Sequence, residues 1–127
     1  MDAFFCSVQL AKPEYAHLRS KPVGIAAGHN NSDIASCNYV ARTYGIHAGM
    51  YVNKAKSHCP SLVILDYDLP SCERIAQTLY RILFERFPSS RAHMSMEVYS
   101  VDEVMIAVDT DSITSMINYC NDVRAEL

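Results

Sequence analysis

Glu97-Val98-Tyr99-Ser100-Val101-Asp102-Glu103-Val104-Met105-Ile106-Ala107-Val108 sets two adjacent carboxylates inside an apolar, β-branched run. Such a run reads as buried sheet. An isolated charge leaves water only when it is matched or coordinates a cation. Neighbouring side chains of a straight strand point to opposite faces, so Asp102 and Glu103 serve one site only where the chain bends. Residues 93–99 and 103–108 are therefore predicted to be two strands around a bend at Asp102-Glu103. A solvated hairpin tip would carry the same pair, and this stretch by itself does not separate the two readings.

The opening Met1-Asp2-Ala3-Phe4-Phe5-Cys6-Ser7-Val8 puts another acid at the head of an apolar run, followed by two aromatics. Two-metal phosphoryl and nucleotidyl transfer needs carboxylates from separate strands converging on hard cations about 3.5–4 Å apart. The two acidic stretches fit that chemistry without being specific to it.

The 127 residues are 50% hydrophobic and 20% charged, enough to bury a core as one domain or two small subdomains. No apolar run approaches the roughly 20 residues of a membrane span, and no basic segment leads into an apolar one at the amino terminus. An intracellular protein with no membrane partner is expected. Five cysteines (Cys6, Cys37, Cys59, Cys72, Cys120) are an odd number without CxxC spacing, which argues against a disulfide framework or a zinc cluster. The five histidines have no partner at i+3 or i+4, so a histidine metal site is not expected. A net charge of −3 makes the chain a poor DNA binder by itself.

In chain order, residues 1–6 read as a strand and Ser7 to Leu10 as the start of a short helix that Lys12-Pro13 interrupts. Polar, loop-like sequence follows. Residues 23–28 and 34–37 read as a hairpin whose second strand is made of small residues. Asn38 to Gly45 reads as a short helix with Asn38 as cap and Gly45 at its end. Tyr39 and Arg42, at i and i+3, share one face of it beside the Ser36 hydroxyl, an arrangement suited to an anion and equally to an exposed surface pair. Residues 52–59 read as a helix stopped by Pro60, residues 62–67 as a strand, and the segment after Asp68 as a helix whose Ile75, Leu79, Ile82, Leu83 and Phe87 repeat at helical spacing until Pro88. Asp109-Thr110-Asp111 offers caps for a last helix with Ile113, Met116, Ile117, Cys120, Val123 and Leu127 on one side. The expected class is α+β: a ferredoxin-like palm sheet with helices on one side, plus a small α/β lobe.

Three motifs stand together: Met1-Asp2-Ala3-Phe4-Phe5, then Ser36-Cys37-Asn38-Tyr39-Val40-Ala41-Arg42 with Gly45 and Gly49-Met50, then Ser100-Val101-Asp102-Glu103. In this order and spacing the chain resembles the Y-family translesion DNA polymerases over nearly its whole length. Ile34-Ala35-Ser36-Cys37-Asn38-Tyr39, Lys56-Ser57-His58-Cys59-Pro60, Tyr67-Asp68 and Ala76-Gln77-Thr78-Leu79-Tyr80 are most similar to the Rev-type deoxycytidyl transferase branch. The resemblance implies a palm of residues 1–10 and 69–127 and fingers of residues 11–68. It implies Asp102 and Glu103 as catalytic metal ligands, joined by the Met1 backbone carbonyl, for two Mg²⁺ ions, with Mn²⁺ as a substitute. Met1, Asp2, Ala3, Phe4 and Phe5 would line the nucleotide, Phe5 being the steric gate against the sugar. Tyr39 and Arg42 would clamp the triphosphate with Ser36 beside it, and Cys37 and Asn38 would belong to the same nucleotide-binding site. The implied reaction is attack of a primer 3′-hydroxyl on the α-phosphate of a deoxynucleoside triphosphate, with dCTP favoured, opposite damaged template. The implied setting is nuclear, among other replication and repair proteins.

The family writes its first motif Asp-Met-Asp and takes its first metal ligand from the Asp before the methionine; Asp2 matches the second. An isolated chain of these 127 residues is accordingly expected to be inactive, wanting that Asp and the thumb and little-finger parts that hold primer–template DNA. Two rival readings are a non-catalytic scaffold or partner-binding module, and a palm-type nucleotidyl cyclase. Phe4-Phe5 and the Tyr39/Arg42 helix favour the polymerase.

Overall fold

The computed structural model describes residues 2–28, 31–86, 94–108 and 113–126. They form two compact units, Met1–Cys72 and Glu73–Leu127.

The first unit holds helix α1 (Phe4–Ala11), a 3₁₀ helix (Pro13–Leu18), strands β1 (Val23–Ile25) and β2 (Ser36–Cys37), helices α2 (Tyr39–Arg42) and α3 (Val52–His58), strand β3 (Val63–Leu65) and the first turn of α4 (Leu69–Arg86). Its sheet runs β2-β1-β3. β1 pairs antiparallel with β2, Gly24 opposite Cys37, and parallel with β3, Gly24 opposite Ile64. The central strand is buried throughout, as a short apolar run between turn residues should be. On one side of it Ile34, Ile46, Val52, Ala55 and Leu62 are buried together. On the other, Cys6 and Leu18 pack with Val23 and Ile25.

Where a strand was expected over residues 1–6, the described residues make a turn and then a helix. Ala3 takes the left-handed conformation at φ 50°, and the Ser7 amide donates to the Ala3 carbonyl at 2.8 Å. The helical period wins because it buries more: Phe4 and Val8, one turn apart, share a cluster with Cys72, while Cys6 faces the sheet. The segment read as loop after Lys12 is the 3₁₀ helix, with Pro13 at its first turn, where a missing amide costs nothing.

The second unit contains the remainder of α4, strands β4 (Met94–Val98) and β5 (Val104–Val108), and helix α5 (Ile113–Glu126). β4 and β5 form an antiparallel pair with Val98 opposite Val104 and Met96 opposite Ile106, which leaves residues 99–103 as the connection. The bend thus falls where the two carboxylates demanded it. Leu79 and Leu83 of α4 and Val123 of α5 are buried against Met96, Val104 and Ile106, so the helices cover one face of the ribbon, as expected. Ile82 is half-buried there, whereas Ile75 lies at the exposed margin and Phe87 falls outside the described residues. Of the α5 stripe Val123 is buried; Ile113 and Ile117 are exposed, and Leu127 and the Asp109-Thr110-Asp111 caps lie outside the described residues.

The cysteines are all free: Cys6, Cys37, Cys59 and Cys72 are buried and Cys120 is exposed. No helix among the described residues is long and apolar enough to cross a membrane.

Candidate functional site

Asn38 is the pivot of the first unit's site. Its side-chain oxygen accepts from the Ala41 amide at 2.9 Å, capping α2, and from the Val23 amide at 3.1 Å, while its amide nitrogen donates to the Lys21 carbonyl at 2.7 Å. One buried side chain therefore fixes the start of the helix against the edge of β1. The cap was legible as an Asn ahead of a helix; the staple to the strand, 15 residues away, carried no local signal.

From that anchored helix Tyr39 and Arg42 project together, the guanidinium carbon lying 4.9 Å from the centre of the Tyr39 ring. Both reach the Asp2 carboxylate. Arg42 Nη2 donates to Oδ1 at 2.7 Å and Nη1 to Oδ2 at 3.1 Å, and the Tyr39 hydroxyl donates to Oδ2 as well. Asp2 Oδ1 also accepts from the Ala3 amide at 2.9 Å. Arg42 above all, then Tyr39, holds the Asp2 carboxyl at about 2, below the usual carboxylate range, and the carboxylate in turn pushes the Tyr39 phenol and the Arg42 guanidinium up. The result is an exposed phenol and an exposed guanidinium converging, fully protonated, on one anion. Such a fork with an added hydroxyl suits a phosphate as well as a carboxylate.

Around this cluster lie the other residues singled out in the sequence. Ser36 is buried, and its hydroxyl has no hydrogen-bond partner among the described residues. The Cys37 thiol donates to the Ile46 carbonyl at 3.4 Å. Burial pushes Cys37 up and Cys6 up to about 12, which favours the thiol over the thiolate at both. Phe4 is buried; Phe5 is half-buried, 5.6 Å from Phe4 and 5.8 Å edge-on from Tyr67 between ring centres. Phe5 is thus the second residue of α1 rather than the end of a strand. Met1 lies outside the described residues.

In the second unit Asp102 and Glu103 sit in the β4–β5 connection, Asp102 half-buried and Glu103 exposed. The Tyr99 and Ser100 amides both donate to the Glu103 carbonyl, at 2.9 and 3.2 Å. The Ser100 hydroxyl donates to Asp102 Oδ1 at 2.9 Å. The Tyr80 hydroxyl, from α4, donates to the Ser100 carbonyl and so ties the turn to the helix. Tyr80 stood in the sequence only as part of a resemblance; that it holds the carboxylate-bearing turn is a tertiary fact. Among the described residues no three His, Cys, Asp or Glu side chains gather as a metal centre.

Residues 1–127 match the impB/mucB/samB family. The chain is 44% identical over 115 residues to the DNA repair protein rev1 of Schizosaccharomyces pombe, covering 90% of this chain and 11% of that protein. It is 34% identical over 120 residues to the DNA repair protein REV1 of Arabidopsis thaliana, covering 92% of this chain and 11% of that one. The chain therefore spans about a tenth of the length of these relatives. Among solved structures, a Y-family DNA polymerase chimera, Dbh-Dpo4(243-245)-Dbh, superposes with a TM-score of 0.80 at 22% identity, over 98% of this chain and 36% of that one, a likeness of fold. By its sequence, the chain belongs to the impB/mucB/samB family.

Proposed function

We propose that this chain is the palm (residues 1–10 and 69–127) and fingers (residues 11–68) portion of a translesion DNA polymerase of the deoxycytidyl transferase type, which adds a deoxynucleotide, dCMP by preference, to a primer 3′-hydroxyl opposite damaged template in the nucleus. Family membership supports the reaction class, and the likeness to two Rev1 proteins supports the branch. The single observation that carries the nucleotide site is the convergence of Tyr39 and Arg42 on one anion, with both guanidinium nitrogens and the phenol engaged.

In this reading Tyr39 and Arg42 grip the triphosphate, Arg42 following charge onto the leaving pyrophosphate, with Ser36, Cys37 and Asn38 forming the wall and anchor beside them. Phe5, stiffened by Phe4 and Tyr67, lies under the sugar with Met1, Asp2, Ala3 and Phe4 and leaves no volume for a 2′-hydroxyl. Asp102 and Glu103, with the Met1 carbonyl, are the proposed metal ligands and catalytic carboxylates. Their donor set fits Mg²⁺, which is commonly held by one or two carboxylates together with substrate phosphates; Mn²⁺ takes the same oxygen ligands. Bound there, the two ions would lower the charge on the attacking and leaving oxygens. The Ser100 hydroxyl orients Asp102, and Tyr80 holds the turn. Primer–template DNA and other repair proteins are the proposed macromolecular partners.

Calorimetry of Mg²⁺-dCTP against the wild-type chain and Arg42→Ala tests the site. Loss of most of the affinity in the variant supports the reading; equal binding by both overturns it.

A further inference from the structure

The donors assigned to a triphosphate are not waiting for one: the chain's own acid is seated in them. Both terminal nitrogens of Arg42 and the hydroxyl of Tyr39 are spent on the two oxygens of Asp2, at 2.7 and 3.1 Å for the guanidinium. A carboxylate and a phosphate present the same pair of oxygens to an arginine fork, so they compete for it. An incoming phosphate would also meet the negative charge of Asp2 itself.

Resting on the triphosphate reading above, we propose that Asp2 is an internal competitor for the Tyr39–Arg42 clamp, and that nucleotide binds by exchange, phosphate oxygens displacing the carboxylate from the fork. Three features make the exchange feasible. Asp2 and Arg42 are both well exposed, at 56% and 39% of their side chains, so the displaced carboxylate is re-solvated rather than stranded. An exposed ion pair of this kind is weak, too weak to shut out a polyanion. Asp2 also keeps a local partner, the Ala3 amide at 2.9 Å, that does not involve the clamp. The closed pair meanwhile holds Arg42 over the Tyr39 ring and so keeps the fork in shape while no nucleotide is present. The contact therefore costs affinity and lends order, and the clamp discriminates against weak anions that cannot displace a carboxylate.

The test is binding of metal-free inorganic triphosphate to the wild-type chain, Asp2→Asn, Arg42→Ala and the double variant, by calorimetry, with melting curves to verify folding. Asp2→Asn keeps the shape and the Ala3 contact and removes the charge. The expected result is triphosphate binding tightened about two- to fivefold in Asp2→Asn, the factor an exposed pair of this strength accounts for, with Arg42→Ala weakening binding in both backgrounds. Unchanged or weaker binding in Asp2→Asn, with Arg42→Ala still harmful, overturns the competitor role and leaves the clamp standing. Arg42→Ala without effect in either background overturns the clamp and the competitor with it. Should Asp2→Asn fold poorly, Asp2→Ala carries the same expectation of tighter binding and the same refutation.

Discussion

Arg42 takes hold of Asp2 from 40 residues away as a two-pronged fork, Nη2 to Oδ1 at 2.7 Å and Nη1 to Oδ2 at 3.1 Å. The pair joins two motifs of the sequence that have no local reason to meet. It does so because α1 packs under the sheet on one flank while Asn38 pins α2 to β1 on the other.

Tyr39 contributes a hydroxyl to the anion and a ring face to Arg42, and the two contributions separate by substitution. Tyr39→Phe keeps the platform and loses the donor; Tyr39→Ala loses both. Affinity for Mg²⁺-dCTP is predicted to fall about three- to tenfold in the first, for one hydrogen bond to a charged group partly replaced by water, and a further two- to fivefold in the second, for an exposed cation–π contact. Titration calorimetry of the three proteins gives the order directly.

Asn38 makes three hydrogen bonds from a buried position, to Ala41, Val23 and Lys21. Asn38→Ala strands a strand amide and a carbonyl as well as the helix cap, so a loss of about 2–3 kcal/mol is expected in denaturant unfolding. Asn38→Asp retains the acceptor and should recover part of it.

Asp68 accepts from Lys12 Nζ at 2.6 Å and from the Ser71 amide at 3.1 Å in the first turn of α4. Lys12 foremost, then Ser71, holds its carboxyl well below the ordinary carboxylate range. A depressed acid contributes stability that is present above its unfolded value, about 3.9, and is lost as the pH falls through the folded one. Asp68→Asn should therefore melt lower than wild type at pH 7, and the gap should close as the pH is taken from about 5 downward. A gap independent of pH would assign the effect to the cap alone.

The parts of this fold that were legible in the sequence are those where one local signal dominates. The bend at Asp102-Glu103 was required by two charges in a β-branched run, the α2 cap by an Asn before a helix, and the faces of α4 by Leu79 and Leu83 at helical spacing. What was misread or missed depends on partners far along the chain. Residues 1–6 look extended because an acid heads a short apolar run; Cys72 and the sheet favour a helix from Phe4 onward by burying Phe4, Val8 and Cys6. The Arg42–Asp2 fork and the Tyr80–Ser100 tie are pairings that no pattern within one segment encodes.

Phe5 is packed edge-on against Tyr67 and beside Phe4, which suits a rigid floor under a sugar. In a polymerase carrying this chain, Phe5→Ala is predicted to admit ribonucleotides, raising the efficiency of CTP relative to dCTP by at least about tenfold, the scale on which a pocket discriminates by volume. Unchanged discrimination between dCTP and CTP would assign the gate to another residue.

The central claim is that Asp102 and Glu103 carry two-metal nucleotidyl transfer, and primer extension tests it most directly. In a polymerase carrying this chain, with Mg²⁺ and dCTP, Asp102→Ala and Glu103→Ala should each lower turnover by orders of magnitude while leaving primer–template affinity nearly unchanged, the pattern of groups that act in the transition state rather than in binding. Turnover that survives both substitutions would contradict the account.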